Sequence, residues 1–121
     1  MNYSEMTDFE INKAVAIAEG HSCYYGDGSF TNGLMGRKVT VKGNGVIGCM
    51  DFCNSWADAG PIIEANKIAM IPESDGTWFA LGNPQIKSNW RVQSTGAFHN
   101  DTTPLRAAMI VFLMMQEASN V

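Results

Sequence analysis

Apolar residues recur at helical spacing near both ends of this chain and alternate with polar ones through its middle. Near the start, Ile11, Ala14, Val15 and Ala18 line one face of a helix. Thr7 with Glu10 three residues later is the signature of a capping box, Met6 and Ile11 are spaced for a hydrophobic staple, and Gly20 is a natural stop. Residues 21–36 read as a long loop, with Gly26-Asp27-Gly28 and Asn32-Gly33 as turn chemistry and Tyr24, Tyr25 and Phe30 as its aromatics. Lys38 to Lys42 alternates strictly, Gly43-Asn44-Gly45 turns the chain, and Val46 to Phe52 returns as a strand apolar on both faces. Ser55 or Asp58 caps a short second helix that runs to about Asn66. Ile68 to Ile71 and Thr77 to Leu81 form strands about an Asp75-Gly76 turn, and Trp90 to Ser94 forms a fifth. Thr103 caps a last helix, with Pro104 in its first turn, that extends to about Ala118. The predicted fold is α+β, a small antiparallel sheet of about four to five strands packed with N-terminal and C-terminal helices, in one domain spanning residues 1–121.

The last helix has almost no polar side. Leu105, Ala108, Met109, Phe112 and Met115 form one face, while Ile110, Val111, Leu113 and Met114 fill most of the remainder. A helix apolar all round must be covered all round. Two readings stay open: a central core helix, or a helix with one face on a partner subunit. Because a chain of 121 residues has little material to wrap both sides, a homo-oligomer through the C-terminal helix is expected.

Composition narrows the function classes. Eight basic against twelve acidic residues give a net charge of −4, which opposes binding to nucleic acid or anionic membrane. The first ten residues are acidic and polar where a secretory signal would be basic and then apolar, so none is expected. The longest apolar run, Ala107 to Met115, is far short of the ~20 residues of a membrane span. Three cysteines, an odd number, fit reduced thiols in a cytoplasm.

Catalytic and metal chemistry find little support. His21, Cys23, Cys49 and Cys53 could in principle hold zinc, but two cysteines four apart on one regular strand are about 13 Å apart, too far for one ion. No metal and no cofactor are expected. His21 and His99 are the histidine bases, and His99 reads as a loop residue before the last helix. Asp51, Asp58 and Glu64 show no persuasive pairing. Gly43-x-Gly45-x-x-Gly48 matches a dinucleotide fingerprint only as text, since it leads into a strand rather than a phosphate-binding helix. The expectation is a protein that is not an enzyme.

Aromatic and amide side chains form the more suggestive set. Trp56, Trp78 and Trp90 fall near turns or strand edges among Asn54 and Asn83, a combination that stacks on and reads planar polar ligands. Arg106 lies in the first turn of the last helix, where its charge opposes the dipole. A bound anion or an ion pair with Asp101 would each account for it. The candidate ligand-binding residues are therefore Asn54, Trp56, Trp78, Asn83, Trp90 and Arg106.

Long stretches also match a known family in order: Tyr3-Ser4-Glu5-Met6 with Asp8 to Lys13, Asp51-Phe52-Cys53-Asn54 with Ala57-Asp58-Ala59 and Pro61-Ile62-Ile63, Asn66-Lys67-Ile68, and Pro104 to Gln116. On these residues the chain resembles the phage protein NinX family of lambdoid phages and prophages. Gly60 departs from the pattern, in which a large aromatic often precedes Pro-Ile-Ile. The resemblance implies an accessory protein made in the cytoplasm of an infected bacterium, and no reaction. By analogy with compact oligomeric phage proteins that sequester nucleotide immune signals, it is expected to bind a small nucleotide-type ligand as an anti-defence protein. The alternative is an interaction module that targets a host or phage protein and takes no ligand.

Overall fold

The computed structural model describes residues 2–20, 22–24, 39–43, 46–87, 89–93 and 96–119. Three helices, α1 (Asp8–Ala18), α2 (Trp56–Asn66) and α3 (Pro104–Ser119), combine with strands β1 (Ser22–Tyr24), β2 (Val39–Gly43), β3 (Val46–Met50), β4 (Ile68–Pro72), β5 (Trp78–Gly82), β6 (Gln85–Ile86), β7 (Val92–Gln93) and β8 (Phe98–Asp101). The fold is α+β with helices at both ends of the chain. The described strands do not form one sheet of four to five strands: β1-β2-β3 and β4-β5-β8 make two antiparallel three-stranded sheets, and β6-β7 pair separately.

The helix ends follow their local chemistry. The Thr7 hydroxyl accepts from Glu10 N–H while the Glu10 carboxylate accepts from Thr7 N–H, completing the capping box of α1. Gly20, at φ +87°, lets the chain leave that helix. The Ser55 hydroxyl caps α2 by accepting from Asp58 N–H. Pro61 lies inside α2, and Gly60 before it has no Cβ to collide with the ring. The region from 25 to 38, which contains most of the expected long loop, and the turn residues 44 and 45 lie outside the described residues.

α3 organises the core. It packs against α1, α2 and all three strands of the β4-β5-β8 sheet. Every residue from Ala107 to Leu113 is buried, about two turns covered on every side. Over these two turns one chain covers α3 by itself, while Met114 and Met115 in the following turn are half-buried. Small residues make it possible, because Ala107 and Ala108 on the helix and Ala80 on β5 are fully buried where the layers approach. Ile11, Val15 and Ala16 of α1, Ala59 and Ile62 of α2, and Phe52 in the turn after β3 complete the same cluster.

β8 is the strand the sequence pattern concealed. Phe98 and Asn100 pair with Leu81 and Phe79, whereas His99 and Asp101 pair with Ala80 and Trp78. Ala80 is buried against α3, so His99 and Asp101 face inward and Phe98 faces out. Polar residues inside and an apolar one outside invert the usual alternation, which is why His99 reads as loop.

The centrality of α3 sets an expectation. Met109→Ala removes a fully buried side chain and should lower unfolding free energy by about 2–5 kcal/mol. Urea denaturation followed by circular dichroism measures it.

Candidate functional site

Arg106 sits at the join of the N-terminal segment, β8 and α3. Its Nε donates to both oxygens of Asp101 at 3.2 and 3.1 Å, and its Nη1 donates to Asp8 Oδ1 at 2.8 Å. Nη2 donates to the Met6 carbonyl at 2.6 Å and reaches the Ser4 carbonyl at 3.4 Å. Its side chain is 13% exposed. Of the two readings of this arginine, the ion pair is the one with observed partners, and the anion at the start of α3 is the chain's own Asp101 carboxylate. That carboxylate also accepts from Thr102 N–H at 2.7 Å, in the position that a helix N-terminus favours for negative charge.

The network continues through Asn54. Its Nδ2 donates to Asp8 Oδ2 at 3.1 Å and to Asp51 Oδ1 at 2.9 Å. Asp51 is buried and also accepts from the Asn12 amide at 2.9 Å, and Asn12 Oδ1 accepts from Cys53 N–H at 2.9 Å. His99 Nε2 lies 3.1 Å from Asp101 Oδ2. Trp78 is half-buried and directly across β5–β8 from Asp101. Arg106 and Asn54 are thus brought together on Asp8, with Arg106 and the Asn54 Nδ2 donating to the chain itself, while Trp78 lies beside Asp101 in the sheet. Asp8, Asn12, Asp51 and Asp101 were absent from the sequence-derived set. The adjacency of Asp101 to the helix start was the one available signal among them.

The cysteine geometry differs from expectation. Cys53 lies beyond β3 in a turn rather than on the strand with Cys49, and burial pushes its thiol well above the usual range, which leaves it protonated. His21 and the side chains of Cys23 and Cys49 lie outside the described residues. Gly43 ends β2 and Gly48 lies within β3, so the glycine fingerprint spans a hairpin.

The remaining aromatic and amide candidates lie elsewhere. Trp56 opens α2 and is 56% exposed. Asn83, at φ +46°, accepts from the Gln85 side chain at the root of the β6–β7 hairpin. Trp90 is at its tip. This hairpin is an arm that grows out of the β5–β8 pair, closed at its base by Gly82 N–H to the Ala97 carbonyl at 2.9 Å. Ile86 and Val92 face each other across it and are both exposed. The tip is closed by Lys87 N–H to Arg91 carbonyl and Trp90 N–H to Lys87 carbonyl, each at 2.8 Å.

Trp90 is the residue that the fold does not explain. Its φ is +65°, the left-handed conformation that such hairpin loops favour for glycine. For other residues that conformation costs about 1–2 kcal/mol. Its side chain is 83% exposed, so packing within the chain returns little of that cost.

A second apolar surface lies on the outer face of the β4-β5-β8 sheet. Ile71 pairs with Phe79, Leu81 pairs with Phe98, and the Phe79 and Phe98 rings lie 5.8 Å apart. Ile71 and Phe98 are exposed. A groove of about 250 Å³ runs along α1, lined by Met6, Glu10, Lys13, Ala14 and Ile17.

The Arg106 network predicts a pH signature. Burial raises the pKa of Asp101, but hydrogen bonds from Thr102 and His99 and the charge of Arg106 outweigh it, so the carboxyl lies below its ordinary value. A group depressed in the folded state adds stability above its unfolded pKa, and that stability is lost as pH falls through the folded value. Urea midpoints should therefore fall on acidification below about pH 4. In Arg106→Met the acid loss should be smaller, because the cation that helps depress Asp101 is gone and the folded carboxyl lies closer to its unfolded pKa. Identical acid profiles for the two proteins would count against this assignment.

No helix among the described residues is long and apolar enough to cross a membrane. No curated protein matches the chain. Residues 2–116 match the family described as Bacteriophage P22, NinX, the stretch that holds α1, the Arg106 network, the arm and nearly all of α3. The chain belongs to this bacteriophage NinX family.

Proposed function

We propose that this phage accessory protein works by binding a protein surface, with the β6–β7 arm as its contact element. The observation that carries the reading is Trp90, held exposed in a backbone conformation that a tryptophan does not favour. Outliers of this kind are held by the structure around them and cluster at binding and functional sites. Tryptophan and arginine are the side chains most enriched among residues that dominate protein interfaces, and Arg91 follows Trp90 directly. Ile86 and Val92 add apolar area on the same element.

Sequestration of a nucleotide-type ligand is the second reading. It draws on the same exposed indole, since stacking contributes ~1–3 kcal/mol per base. What weakens it is that Arg106 and Asn54, its polar readers, are bound to Asp8, Asp51 and Asp101.

A photo-crosslinking amino acid placed at position 90 during infection should yield a discrete protein adduct, and the same group at exposed position 64 on α2 should not. No adduct at position 90, together with calorimetric heat on titrating cyclic dinucleotides or ADP-ribose derivatives, would replace the first reading with the second.

A further inference from the structure

We infer that a second copy of this chain is one of the proteins the arm binds: the β6–β7 arm of each copy seats Trp90 in the α1 groove of the other. The inference rests on the reading of the arm as a contact element and supplies its partner.

Both halves of the contact are present in one chain. Glu10, Ala14 and Ile17 recur along one stripe of α1, continued by Met6 before its cap, beside the stripe of Ile11 and Val15 that enters the core. Ala14 is the small residue between Met6 and Ile17 in the lining. Ile17 is exposed although it stands on a helix with a good core face. A groove of about 250 Å³ is too small for a drug-sized ligand and suits a single large side chain. An indole with one polar N–H and a wide apolar body fits a cleft whose floor is methionine, alanine and isoleucine and whose rim carries Glu10.

Charge points the same way. Between Asp75 and Asp101 the only formal charges are Lys87 and Arg91, both exposed and on either side of Trp90. Removing these two cations from the chain's formal charge of −4 leaves −6 on everything else. Near the groove, Asp8 is paired with Arg106, and Glu5, Glu10 and Glu19 stand against Lys13. A cationic arm on an acidic body attracts the body of another copy and disfavours a parallel arm-to-arm approach. Nucleic acid is a poorer occupant, since two cations release few counterions and the rest of the molecule repels phosphate.

Reciprocity follows from area. One two-stranded arm in one groove covers less than the roughly 1,200–2,000 Å² of a stable interface. Exchange about a twofold axis makes the contact twice and closes the assembly as a dimer.

Sedimentation of the full chain from micromolar to high-micromolar concentration tests this. A concentration-dependent dimer that weakens at about 0.5 M salt is expected. Trp90→Ala and Ile17→Glu alter exposed side chains, so both should keep the wild-type melting curve while raising the dimer dissociation constant at least about 30-fold. Mixing the two variants restores one intact arm–groove contact, so the mixture should dimerise more strongly than either alone. A dimer indifferent to both substitutions would overturn the proposal, as would a monomer throughout. A monomer that still forms an adduct with a different protein through position 90 rejects self-docking and keeps the arm as contact element. A monomer with no adduct rejects both.

Discussion

A helix with no polar face is stable only where protein covers every side of it, and α3 imposes that condition on the whole molecule. The β4-β5-β8 sheet closes one side, and α1 and α2 close the others. The arrangement is close-packed because alanines stand where helix and sheet meet, at positions 80, 107 and 108. Elements distant in sequence are thereby bound to one helix, so loss of its packing removes the core of the fold.

Burial alone does not orient a cylinder that is apolar all round. The polar network at the start of α3 supplies direction. Arg106 connects β8 through Asp101, α1 through Asp8, and the first residues of the chain through two backbone carbonyls. Arginine suits this position because its planar fork presents five donors in fixed directions, which a lysine cannot reproduce. The Asp8–Asn54–Asp51–Asn12 chain carries the same connection to the turn before α2. A polar group at such a join is costly to leave unpaired, so the network specifies one way of closing the N-terminal segment over the core.

What these constraints do not use is left on the surface. Trp90, Ile86 and Val92 on the arm, and Ile71 and Phe98 on the outer sheet face, are exposed though large and apolar. The fold needs none of them outside. Membership of a bacteriophage family gives the molecule a biological setting without a reaction, and the arm carries Asn83 and Trp90, two of its non-glycine residues at positive φ.

Local signals were legible in the residues: the capping box at Thr7 and Glu10, the Ser55 cap, the glycine that ends α1, the Asp75-Gly76 hairpin and both long helices all follow from spacing and backbone preference. The α+β class and the family resemblance were legible as well. The inward-facing polar residues of β8 were not, because alternation reports a strand only when its inner side chains are apolar. Nor could the sequence say that one chain suffices to cover α3, since coverage depends on how closely three other elements approach it. Asn54 read as an open polar group and Arg106 as either an anion site or an ion pair until their partners, up to 102 residues away, were in place. Residue type and spacing decide what a side chain can do, whereas the tertiary structure decides which of those capacities other parts of the chain already occupy. By that rule Arg106 belongs to the fold, and Trp90 has little of the chain against it.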